Sequence, residues 1–231
     1  MADDYYKELR AEEFLREIDT YRKADTVRKA DTVDFGDKHI KSLAEKAYGL
    51  APNSRAAKYY ARCLGMAGQY QEAFDVLEQY IKKHPDEFES RELAASALFW
   101  LEQYEEAEKY YKKSIELAGS QQLNTANAYC YLGMSLAEQG KEKEAFKAWD
   151  KAKSQKPSYT STYFVKADYL LSKKMYDKAS SEINEVLELA KRKGWSGVED
   201  RANAQLEIIT LEKLMYSPTQ HPPSSPGHGP G

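Results

Sequence analysis

The 231-residue chain carries 37 acidic and 34 basic side chains, a formal charge of −3, with 42% apolar and 31% charged residues. So near a balance gives no bulk attraction to nucleic acid, and no run approaches the ~18 apolar residues needed to span a bilayer. The opening MADDYYKELR lacks the basic-then-apolar pattern of a secretory signal, and two cysteines, Cys63 and Cys130, are too few for a disulfide framework. These features point to a cytoplasmic protein with buried, reduced thiols.

The first element expected is an amphipathic helix over 3–21, with Tyr5, Leu9, Phe14, Ile18 and Tyr21 roughly on one face and mixed charge on the other. It suits packing on its own chain or in a neighbour's groove, so Tyr5, Leu9, Phe14 and Ile18 are the candidates for self-association and homo-oligomer formation. A tandem hexapeptide, RKADTVRKADTV at 22–33, follows. Its six-residue period matches neither helix nor strand, so 1–36 is taken as the helix and a duplicated linker. Residues 37–53 read as one further helix.

Periodicity then takes over. Ala73 precedes Ala107 by 34 residues, Ala145 precedes Ala179 by 34, and 38 separate the inner two. The four extra residues are placed at Gln122–Thr125. Pro52, Pro85 and Pro157 each follow a helical stretch, as expected of a residue that lacks an N–H and clashes with the preceding turn. A period in this range signals a stack of small helical units that share one core.

On these residues the chain resembles the tetratricopeptide-repeat (TPR) family over about 54–193. The family's small residue in the first helix of each repeat falls on Ala61, Ala95, Gly133 and Ala167. The alanine opening the second helix falls on Ala73, Ala107, Ala145 and Ala179. Tyr70, Tyr104 and Tyr176 match the turn aromatic, with Glu142 as the departure, and Gly119 and Lys191 replace the terminal proline in two repeats. The resemblance implies an all-α fold, a right-handed TPR superhelix of antiparallel helix pairs with a C-terminal capping helix. Its repeats are 54–87, 88–121, 126–159 and 160–193, after a degenerate repeat at 37–53. In the helix of 194–216, Leu206, Ile209 and Leu214 are expected to cover the end of the core with a charged face outward. The tail 217–231, with five prolines and no periodic apolar face, is expected to be disordered.

Chemistry has little to rest on. Of the four histidines, His39, His84, His221 and His228, none pairs with another ligand type at metal spacing. No nucleophile elbow, zinc motif or phosphate loop occurs. No catalytic residue, metal or cofactor is therefore expected, and the chain is read as no enzyme.

The family's concave lining positions fall on Lys58, Tyr59, Arg62, Glu92, Ser96, Phe99, Trp100, Tyr131, Met134, Phe164 and Asp168. The resemblance thus implies a groove for a peptide or helix of a protein partner, with aromatics as anchors. The five-residue clamp by which some family members hold acidic chaperone tails is matched at Lys58 alone, because Arg62, Leu93, Asn127 and Tyr131 depart from it. Glu92 and Asp168 weigh against RNA. The reading is an adaptor or scaffold, compatible with self-assembly on an organelle surface, as in magnetosome-associated members of the family, and with membrane attachment through a partner. The alternative is a secretion or translocation chaperone shielding an apolar client segment.

Overall fold

The computed structural model describes residues 2–26 and 37–216, with side chains of the first helix described over 3–20. Most of the hexapeptide duplication and the whole 217–231 tail lie outside the described residues. Among those described there are eleven helices and no strand. The chain divides into two compact units, Met1–Gln155 and Lys156–Gly231.

The first unit holds α1 (Ala2–Thr26), α2 (Lys38–Leu50), α3 (Ser54–Met66), α4 (Tyr70–Lys83), α5 (Phe88–Trp100), α6 (Tyr104–Ser120), α7 (Ala126–Glu138) and α8 (Glu142–Gln155). Each helix packs on the next, and α3 also packs on α5. Side-chain caps fix several starts: Asp37 accepts from the His39 and Ile40 amides, Asn53 from Ala56, and Glu87 from Ser90. The small residues of the repeat are buried where helices cross: Ala61, Ala73, Ala95, Ala107 and Ala145. Their size lets backbones approach, while Leu64, Leu77, Leu98 and Trp149 fill the space between, each large aliphatic burial stabilising by roughly 1.5–3 kcal/mol.

The turns inside the helix pairs share one geometry. Gly68, Glu102 and Gly140 all have φ between 61° and 74°. The next residue's amide reaches the carbonyl five back: Gln69 to Leu64, Gln103 to Leu98 and Lys141 to Leu136, each at 2.9 Å. This is the Schellman closure that uses otherwise orphaned carbonyls.

The face of α1 differs from expectation. Ala11, Leu15 and Ile18 form its buried seam, Phe14 is partly buried against the same core, and Tyr5 and Leu9 are exposed. The seam packs on the chain's own α2 and α3, so Ile18 and Phe14 are occupied within one molecule. Arg55 of α3 fastens it by donating to Glu12 (3.2 Å), to Asp19 and to the Leu15 carbonyl.

The second unit contains α9 (Ser161–Ser172), α10 (Tyr176–Lys193) and α11 (Ser196–Met215). Lys174 repeats the positive-φ turn, at 58°, and Met175 donates to the Leu170 carbonyl at 2.9 Å. Gly194, at φ 67°, ends α10. Of the capping residues expected from the sequence, Ile209 is buried and Leu206 partly buried, but Leu214 is exposed and covers nothing.

Candidate functional site

The first helices of successive pairs, α3, α5 and α7, line a groove of about 920 Å³ in the first unit. Helix periodicity explains its lining, since Arg62 and Met66 are one turn apart on α3, and Glu92, Ser96 and Trp100 step along one face of α5. Asn127 and Tyr131 continue it from α7, and Tyr70 from the start of α4.

One wall is aromatic. Trp100 is 54% exposed and stacks on Tyr70, with centroids 5.9 Å apart and planes at 16°. The wall is held from below: Phe99, 7% exposed, packs edge-on against Trp100, Tyr104 and Tyr131. Tyr131 also stacks on the buried Tyr111, whose hydroxyl is 3.0 Å from Ser96 Oγ. Trp100 is thus presented on a rigid support, the condition for an aromatic anchor.

The floor is polar. Glu92 accepts a hydrogen bond from Asn127 Nδ2. Burial raises the Glu92 carboxyl above its ordinary pKa, and the Asn127 bond and the Arg62 charge only partly offset this. Glu89 lies beside it and pairs with Lys58. Burial works against the Lys58 charge, yet Glu89 and Glu87 outweigh it and hold that pKa up.

Of the residues the sequence nominated for a groove, Arg62, Glu92, Ser96, Trp100 and Tyr131 line it together. Phe99 is their support and offers no surface. Tyr59 turns to α1, its hydroxyl donating to Asp19 at 2.7 Å, and Lys58 is taken up by Glu87 and Glu89. Met134 is partly buried outside the lining. Phe164 and Asp168 belong to the second unit, where Phe164 is buried beneath Arg201 at 3.9 Å and Asp168 accepts from Gln205 at 2.8 Å. Tyr70, Met66 and Asn127 were missed as lining, although Met66 and Tyr70 flank the Gly68 turn and one helical turn joins Met66 to Arg62.

Among the described residues no group of three His, Cys, Asp or Glu is placed to hold a metal. No described helix is long and apolar enough to cross a membrane.

Residues 42–114 match the profile of the anaphase-promoting complex, cyclosome, subunit 3 family, and residues 87–152 match that of the tetratricopeptide repeat. No curated protein sequence matches the chain. Solved structures do. A crystal structure of MamA is 21% identical, with a TM-score of 0.56, covering 74% of this chain and 95% of that one. TTC0263, a thermophilic TPR protein of Thermus thermophilus, is 17% identical with a TM-score of 0.61, covering 72% and 88%. YrrB, described as a TPR protein with an unusual peptide-binding site, is 18% identical with a TM-score of 0.51, covering 76% and 84%. Identities this low carry the fold and nothing finer.

Proposed function

We propose that this chain, which carries tetratricopeptide repeats, is an adaptor that holds an extended or helical segment of a partner protein in the α3–α5–α7 groove. TPR modules are protein-interaction folds, and the carrying observation is the half-exposed, stacked Trp100–Tyr70 pair standing over the Arg62–Glu92–Asn127 floor. An apolar side chain of the partner covers the aromatic wall, and a polar group beside it meets the floor. The peptide-binding site attributed to YrrB supports the reading by analogy of fold. Any attachment to a membrane or organelle would come through that partner, and a scaffold role needs a second surface besides the groove.

The test is selection of peptides from a displayed library on the full-length chain, followed by binding to Trp100→Ala. Selected peptides are expected to lose at least about tenfold in affinity, or 1.4 kcal/mol, while the thermal midpoint holds. Equal binding to both proteins would remove the groove from the function.

A further inference from the structure

The solvent side of α11 is not the polar face that a surface helix ordinarily turns to water. The inner face of α11 buries Ala202 and Ile209. A second stripe, Ala204, Ile208, Leu211 and Met215, is spaced i, i+4, i+7, i+11 and points outward. Ile208 is 47% exposed, Leu211 53% and Met215 68%, and the exposed Leu214 widens the patch.

We infer that this stripe is the interface of a homodimer in which α11 packs antiparallel against α11 of a second copy. Three observations single out that occupant. Residues 217–231 contain no Leu, Ile, Val, Met, Phe, Tyr or Trp, so that segment offers the stripe no large apolar side chain. The spacing is that of a helix–helix seam, with Ile208 and Leu211 at its centre. The charges beside the seam choose the direction. A parallel pair sets Glu207 against Glu212 of the second copy, a like-charge clash. An antiparallel pair sets Gln205 against Glu212 and Glu207 against Leu214, which removes it.

The area is sufficient. The exposed parts of these five side chains amount to on the order of 450 Å² per copy, so with flanking polar atoms two copies reach the ~1,000 Å² of a specific contact. A two-fold axis makes the patch self-complementary and closes the assembly at two.

Light scattering on the full-length chain across a concentration series tests this. The mass is expected to rise from 26.4 kDa to twice that value. Combining Ile208→Glu with Leu211→Glu is expected to weaken association at least about a hundredfold, with helicity and thermal midpoint equal to wild type at dilutions where wild type is monomeric, because both side chains are exposed. Direction is read by mixing Gln205→Cys protein with Glu212→Cys protein under mild oxidation, the native Cys63 and Cys130 being buried. A crosslink that forms only in the mixture supports the antiparallel seam. A monomer at every concentration, a dimer indifferent to the glutamates, or crosslinks within each single variant would each overturn it.

Discussion

The indole of Trp149 lies across the bare backbone of Gly133, so close that a Cβ on Gly133 would sit 2.4 Å from Nε1. The ring has no room to retreat: it is fully buried, and Nε1 donates to the Cys130 carbonyl at 3.1 Å. A helix-interior glycine otherwise favours replacement by alanine, by up to ~1 kcal/mol. Here overpacking, at about 1–3 kcal/mol, reverses the sign. Gly133→Ala is expected to lower stability by about 1–2 kcal/mol in urea denaturation. Gly49→Ala on α2, where an added Cβ meets nothing within 4 Å, is expected to raise it by about 0.5–1 kcal/mol.

A second prediction concerns acid stability. Glu108 of α6 accepts from Lys112 (2.6 Å), Lys141 (2.8 Å) and Gln139 (3.0 Å), which ties α6 to the turn between α7 and α8. Burial alone would raise its pKa, but these donors hold it down to about 2. The unfolded chain takes up this proton near pH 4.5, the folded one only near 2. The stabilisation is therefore whole above pH 4.5 and lost as pH falls toward 2. Glu108→Gln is expected to cost about 1.5–3 kcal/mol at pH 7, with the gap from wild type closing between about pH 4.5 and 2. A gap independent of pH would show that the charge is not what the site uses.

Much of this fold was legible because the repeat writes itself in small residues. Alanines at 73, 107, 145 and 179 are read by spacing alone, and all four are buried. The face of α1 was misread for a related reason. Large side chains such as Tyr5 and Leu9 dominate a periodicity argument, whereas close helix crossing selects Ala11, and the resulting seam runs Ala11–Leu15–Ile18. Adjacent positions on α5 show what spacing leaves open. Phe99 and Trp100 are both large aromatics, and only the position of α6 and α7 decides which one is covered. Tyr59 illustrates it again, since the docked α1 draws it away from the groove.

Glu92 gives the third prediction, with the opposite sign to Glu108. Burial raises its folded pKa, so as pH rises through the unfolded value near 4.5 the unfolded chain ionises first and stability is lost. The loss levels off above the folded pKa. Glu92→Gln keeps an acceptor for Asn127 and removes the buried charge. It is expected to match wild type below about pH 4 and to be more stable at about pH 7, read from urea midpoints. That gain in stability would support the proposed use of the Glu92 carboxylate in contact with a partner. A loss of stability at neutral pH would instead make Glu92 a structural charge.

The last prediction comes from the four equivalent turns. Gly68 and Gly140 hold the left-handed position in two of them, and Glu102 and Lys174 hold it in the others. All four are followed by an amide bonded to the carbonyl five residues back, at 2.9 Å. The geometry is thus demanded by the closure of the helix pair, whatever the residue. A side chain with a Cβ costs roughly 1–2 kcal/mol there. Glycine avoids that cost and returns only part of it through the greater freedom of the unfolded chain. Glu102→Gly and Lys174→Gly are each expected to stabilise by about 0.5–1 kcal/mol in urea denaturation, against the usual direction for introducing glycine. Gly68→Ala is expected to destabilise by about 1 kcal/mol. Because the sites lie in different turns and share no partner, the Glu102→Gly and Gly68→Ala effects should add. Destabilisation by both glycine substitutions would mean that Glu102 and Lys174 supply more through their side chains than the backbone strain they carry.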